Sequence, residues 1–191
     1  MKAQRVIALI MAVVMCASCA GCGTTKAEYT TDKSLSVAFS NNKSLHFGES
    51  QADIEKDFGK GTAAEVGTEY DIGKNTLTVN YRNSKAIYIS TSSGDDGKSG
   101  LGVSIGDMPE QVSKNLGNPI HSDSFGEEYI FVKGEGTALS PFSESYTDYK
   151  KSIESFPDEK LEQYVDVTIQ SYNGKVVNIT YMDCLFAMKN K

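Results

Sequence analysis

The sequence predicts an α+β fold of two tandem helix-plus-antiparallel-sheet repeats. The helices pack on one sheet face, and the second repeat carries a partly helical insertion. Three observations lead there. The stretch "IGDMPEQVSKNLGNP", Ile105 to Pro119, has the grammar of a short capped helix, and nearly the same grammar appears 58 residues earlier in "FGESQADIEKDFGKG", from Phe47. Each copy is followed by apolar residues in strand period. Each also contains a turn between alternating apolar residues, Asn83-Ser84-Lys85 and Asn173-Gly174-Lys175, and Asn-Gly suits a type I′ hairpin.

In chain order, residues 1–22 read as a targeting segment. Lys2 and Arg5 form a basic n-region, Val6 to Met15 is an apolar run of ten, and "CASCAGC" supplies small residues before a cysteine. The run is too short to span a bilayer as a helix. A bacterial lipobox wants small residues at the two positions before the modified cysteine, and Cys22 has Ala20 and Gly21 there. Cys19, behind Ala17 and Ser18, is the second choice, and Cys16, behind Met15, is a poor one. Both better sites have Cys where Leu is usual, three positions back. The expectation is a lipoprotein signal peptide ending at Cys22, lipidated with diacylglycerol and a palmitate-type chain. Residues 23–34 follow as a flexible tether. A plainly secreted chain cut nearby is the alternative. Two acyl chains satisfy the condition for stable anchoring.

The mature part is then globular. The chain is 39% hydrophobic and 23% charged, an ordinary composition for a folded domain. Loss of Lys2 and Arg5 takes the formal charge from −6 to −8, which gives nucleic-acid binding no electrostatic support. Only Cys184 remains unmodified, so the mature chain holds no internal disulfide. In the apolar "YMDCLFAM" it reads as a small core residue.

Repeat 1 spans 35–92. Ser50 and Asp53 have capping spacing, Ile54 and Phe58 share a helix face, and Gly59 suits the residue that ends a helix. "TEYDI" and "TLTVNYRNSKAIYIS" supply strands. Leu77, Val79, Tyr81, Ile87 and Ile89 are assigned to the core face, and Thr78, Asn80, Arg82, Tyr88 and Ser90 to the opposite one. Residues 93–100 form a linker. Repeat 2 spans 101–191. Asp107 and Glu110 have capping-box spacing, Pro109 fits a first turn, and Val112 and Leu116 repeat the apolar pair before Gly117 and Pro119. An insertion near 133–163 carries Tyr146, Tyr149, Ile153 and Phe156 at helical spacing. Val165, Val167, Ile169, Val177, Ile179 and Tyr181 are expected in the core, with Asp166, Thr168, Gln170, Asn178 and Thr180 outward. The expected sheet has one dry face and one polar, half-exposed face.

Gly106, Met108, Val112, Leu116, Gly117, Pro119, Gly174, Lys175, Val176 and Ile179 form a pattern that resembles the repeat of the beta-lactamase inhibitory protein family and of the small BamE (SmpA/OmlA) outer-membrane assembly lipoproteins. Gly48, Ile54, Phe58, Gly59 and Lys85 match it more loosely. The resemblance implies the fold; two tandem copies are what the inhibitory proteins have. Those proteins also carry disulfides and are rich in Trp, and this chain has no Trp, so lactamase inhibition does not carry over.

Catalytic patterns fail on context. "GVSIG" at Gly102–Gly106 spells G-x-S-x-G, but the only later histidine is His121, and the βαβ units of a hydrolase sheet are missing. "GDDGKSG" holds Gly-Lys-Ser without the first P-loop glycine, since Ser92 stands there. Asp95 and Asp96 lack EF-hand spacing, and His46 and His121 have no partners at zinc-ligand spacing. No catalytic residue, metal site or cofactor is expected. The functional expectation is a lipid-anchored, extracytoplasmic lipoprotein of a bacterial cell membrane, acting as a non-catalytic binding module. Its expected partners are the bilayer, through its anchor, and a protein or envelope component. The binding residues are sought on the polar sheet face: Arg82, Tyr88, Asn80, Thr168, Gln170 and Asn178. The alternatives are a hydrolase with an unrecognised site, an inhibitor of a secreted or envelope enzyme, and, less suited to so short a chain, a substrate-binding protein of an importer.

Overall fold

Runs rich in Thr, Val, Ile and Tyr make this chain chiefly strand, and every ladder is antiparallel. The computed structural model describes residues 29–73, 75–92 and 96–189. Residues 1–22, expected to be a signal segment ending at Cys22, lie outside the described residues. In chain order come β1 (Tyr29–Thr30), α1 (Thr31–Ser34), β2 (Ser36–Ala38), β3 (Ser44–His46), α2 (Gln51–Phe58), β4 (Thr62–Ala64), β5 (Gly67–Ile72), β6 (Asn75–Arg82), β7 (Lys85–Ser92) and β8 (Lys98–Ser99). Then follow α3 (Pro109–Leu116), β9 (His121–Ser122), β10 (Glu127–Lys133), β11 (Ala138–Pro141), α4 (Tyr146–Ser155), α5 (Asp158–Leu161), β12 (Tyr164–Tyr172), β13 (Lys175–Asp183) and α6 (Cys184–Lys189).

This corrects the expected architecture. The chain does not build two helix-plus-sheet repeats. It builds one ten-stranded sheet, ordered β1-β11-β10-β12-β13-β7-β6-β5-β4 with β9 also on β10, and a small sheet β3-β2-β8. The reason is an edge. β7 and β13 each have a partner within their own hairpin and a free side; they pair with each other from Asn178↔Ser92 to Met182↔Tyr88. That pairing satisfies two rows of backbone donors and acceptors that separate sheets would leave open. Helical and strand periods in the sequence report local elements, not which edges meet.

Two further assignments change. Residues 29–34, expected in the tether, form β1 and α1, and β1 pairs with β11. Lys98–Ser99 of the expected linker is a strand of the small sheet. There a Cβ on Gly100 would sit 1.6 Å from the Lys33 carbonyl oxygen, so backbone approach demands glycine.

The main core lies between one face of the large sheet and a cover made of α2, α3 and the small sheet. Ile54, Val112, Val37 and Leu45 enter it from the cover, and Leu77, Val79, Ile89, Val167, Ile179 and Tyr181 from the sheet. Ser50 caps α2 by accepting the Asp53 N–H at 3.2 Å. Asp107 does not cap α3: Met108 holds that position, and the Asp107 carboxylate accepts the Ser104 N–H at 2.7 Å. Phe58 and Leu116 pack only half-buried against this core.

Bulges correct the core list. Asn80 faces Tyr88 but Tyr81 faces Ala86, and Gln170 faces Asn178 but Ser171 faces Val176. Ile87 and Val177 are therefore the extra residues, and an extra residue reverses every side chain beyond it. Ala86 and Val176 take the places in the main core that alternation assigned to Ile87 and Val177.

The reverse face is not an open polar surface along its whole width. Tyr149 and Ile153 of α4, Leu161 of α5, and Cys184 and Leu185 of α6 form a second core with Ile130 and Tyr164 of the sheet. The insertion and the C-terminal helix therefore cover the β10–β12–β13 side.

Candidate functional site

The register of the reverse face sets out the site. Thr168, Thr180, Ser90 and Thr78 form one row across β12, β13, β7 and β6. The next row is Asp166, Met182, Tyr88 and Asn80. Gln170 and Asn178 stand opposite one another in a third. A polar network runs through the middle: Ser90 Oγ and Thr180 Oγ1 lie 3.0 Å apart, and Thr180 donates to Asn178 Oδ1 at 2.9 Å.

Where the covered half meets the open half lies a cleft of about 350 Å³. Its floor is sheet: Glu128, Asp166, Thr168 and Met182. Tyr149, Lys150 and Ile153 of α4 form one wall; Cys184, Phe186, Ala187 and Met188 of α6 form the other. α4 is placed by its Ser145 cap, which accepts the Asp148 N–H at 3.2 Å. α6 starts where the Asp183 carboxylate accepts the Phe186 N–H at 2.8 Å.

The electrostatics of the floor are unusual. Asp166 is only 7% exposed. Burial, then the charge of Glu128 and a hydrogen bond with it, raise the Asp166 carboxyl well above the ordinary carboxylate range. Thr168 Oγ1, donating to Asp166 Oδ1 at 3.1 Å, and the Lys150 charge act the other way. A carboxyl group enclosed beside a second negative charge is held toward its protonated form, because its ionised form loses water and meets like charge. The Lys150 ammonium lies 5.1 Å from the Tyr146 ring. The hydroxyl of Tyr149 and the Cys184 thiol are 3.0 Å apart, and burial pushes the thiol up to about 12. Cys184 is therefore a neutral thiol at physiological pH and no nucleophile.

The sequence-predicted binding residues scatter over this face. Thr168 lines the cleft floor. Tyr88 packs its ring 5.2 Å from Phe186, so it supports a cleft wall. Asn178 belongs to the polar network, Gln170 is half-buried opposite it, and Asn80 is half-buried opposite Tyr88. Arg82 stands apart: its guanidinium is paired with the buried Asp183, with Nη1 3.3 Å from Oδ1, and its Nε lies 3.2 Å from Glu162.

The Asp166–Glu128 pair is absent from the sequence reading, which took Asp166 as a solvated outward residue. One signal was present. The apolar stripe Tyr146, Tyr149, Ile153 and Phe156 has to lie on something, and the reverse face of the sheet was the surface left to receive it.

The rejected motifs stay ordinary. Ser104 precedes α3 and its N–H is held by Asp107. His121 stacks on Tyr146 at 4.2 Å and lies 3.3 Å from Asp123. His46 Nδ1 meets the Asp32 carbonyl at 2.7 Å. Asp96 accepts the Ser40 N–H, while Asp95 lies outside the described residues. Among the described residues no group of three or more His, Cys, Asp or Glu is arranged to hold a metal ion, and no helix is long and apolar enough to cross a membrane. The chain matches no family model, no curated protein and no solved structure.

Proposed function

We propose that this chain is a lipid-anchored, extracytoplasmic binding protein of a bacterial membrane, without catalytic activity, and that it holds its ligand in the cleft between the sheet and helices α4 and α6. The observation that carries the reading is the cleft itself, about 350 Å³ with largely apolar walls and the buried Asp166 beside the half-buried Glu128 on its floor. Small-ligand sites are concave, mostly apolar and carry a few placed polar groups, and their volumes begin near about 300 Å³. The anchor reading rests on Ala20-Gly21-Cys22 behind the apolar run.

One observation favours a second reading. Neighbouring carboxyl groups of which one is held toward its protonated form can polarise a water, the chemistry of a hydrolytic dyad. The pair here lies on the floor beside Met182, between walls that include Ile153, Phe186 and Lys150.

The test is capture from the protein's own envelope. Ala187 lines the cleft on α6, so Ala187→Trp fills it from the wall. The filled variant should lose the material that the parent retains, with the melting temperature unchanged. Retention equal to the parent's would remove the cleft from consideration. Turnover of envelope substrates by the parent but not by Asp166→Asn would select the hydrolytic reading.

A further inference from the structure

We infer that the cleft's ligand presents a primary alkylammonium group: a positively charged amine that meets the Asp166–Glu128 floor, on a short apolar stem that lies between the helix walls. This rests on the cleft being the ligand site.

The argument begins with charge count. Asp166 and Glu128 contribute two carboxyl groups, and Lys150 is the ammonium that lines the same space. With both carboxylates ionised, the lining carries one negative charge in excess. Protonation of Asp166, which its burial favours, offsets that excess. A ligand ammonium has the same charge and three N–H donors, and so can take the proton's place while hydrogen-bonding both carboxylates.

The walls select the rest of the molecule. Ile153, Phe186 and Met188 on the walls and Met182 on the floor are apolar, and thioether and aromatic groups are polarisable partners for a cation and its methylenes. A bare hard cation fits poorly, since it seeks six or more oxygens and these walls supply carbon and sulfur. An anion would face two carboxyl groups. The small volume suits a chain of a few methylenes. A free amine and the lysine side chain of a partner share this chemistry.

The groups that face the pair from each packed element are Glu128 on β10, Thr168 on β12, Tyr146, Tyr149 and Lys150 on α4, and Cys184 on α6. Tyr149 and Cys184 stay neutral across the physiological range because burial raises both. Binding of an ammonium therefore competes with protonation of Asp166, and affinity rises with pH through the raised range of that carboxyl group.

The test uses the full chain extracted in mild detergent, with n-butylamine, n-butanol and butyrate as probes in calorimetric titration. Butylammonium should bind and the other two should not, with affinity rising from pH 5 to pH 8. Glu128→Gln and Asp166→Asn should each weaken it by about tenfold or more; Glu128 is half-buried, so its variant keeps the test valid if Asp166→Asn misfolds. Lys150→Met should strengthen it several-fold, because it removes a competing ammonium. A peptide bearing one lysine, compared with its acetyl-lysine form, separates the sources: tighter binding than butylammonium assigns the site to a partner's lysine, weaker binding to a free amine. Butyrate binding that disappears in Lys150→Met would overturn the inference while leaving the cleft as the site. No binding of any probe, with envelope capture still lost in Ala187→Trp, also overturns the amine assignment alone. No binding together with unchanged capture in Ala187→Trp overturns the cleft reading as well.

Discussion

Asp166 is a carboxyl group placed where a strand is covered, and its cost is a function of pH. Burial and Glu128 raise its folded-state value above the ordinary 3.8. Between those two values the folded chain holds the proton and the unfolded chain does not, so stability falls as pH rises through that window. Asp166→Asn removes this term. Its melting temperature should exceed the parent's at pH 8, and the gap should close toward pH 4; parallel melting curves of the two proteins across that range would refute the raised Asp166 carboxyl. Arg82 makes the opposite case. Its guanidinium neutralises Asp183, which is 1% exposed. Arg82→Ala leaves that charge buried without its partner, and chemical denaturation should show a loss of more than about 2 kcal/mol. Strand alternation assigns Arg82 to the outward polar face as a binding residue. Alternation along β6 could not reveal an acid 101 residues away across the sheet.

At the scale of elements, the two short helices are tied to the sheet by single buried side chains. Ile54 of α2 and Val112 of α3 are fully buried, whereas the Phe58 and Leu116 anchors suggested by spacing pack half-buried at the margin. Ile54→Ala should cost about 2–5 kcal/mol in equilibrium unfolding, and Leu116→Ala less. The small sheet is fastened by a polar contact. The Tyr181 hydroxyl lies 3.1 Å from the Ser36 carbonyl oxygen and 2.6 Å from Ser99 Oγ, all buried. Tyr181→Phe keeps the ring and removes these contacts, while the Ser36 carbonyl oxygen still accepts the Gly100 N–H and Ser99 Oγ the Leu101 N–H; a loss of about 0.5–1.5 kcal/mol in the same measurement is expected. Helix spans, the Ser50 cap, the glycine stops at Gly59 and Gly117, and both hairpin turns were legible because each depends on residues within one or two turns of chain. The bulges at Ile87 and Val177 were not, because a bulge is a property of a pair of strands.

For the whole molecule the decisive feature is the seam between β7 and β13. Residues 29–100 expressed alone would expose the β7 edge and half of the main core, so they should show no cooperative thermal transition; a cooperative melt of that fragment would overturn the single-sheet account. The proposed anchor belongs to this scale as well, and on that proposal Cys22→Ala should leave the chain in the soluble fraction or as an uncleaved precursor in a detergent-partition assay. What the sequence by itself determined is local: the antiparallel hairpins, the short helices with their glycine stops, and the apolar stripe of the insertion. Tertiary structure alone decided that the hairpins share one sheet, that α4 and α6 lie on its reverse face, and that Glu128 and Asp166 meet there. The physical reason is that periodicity records which side of an element is apolar, while edge pairing and the burial of a charge depend on what arrives from far along the chain to complete the backbone ladder and exclude water.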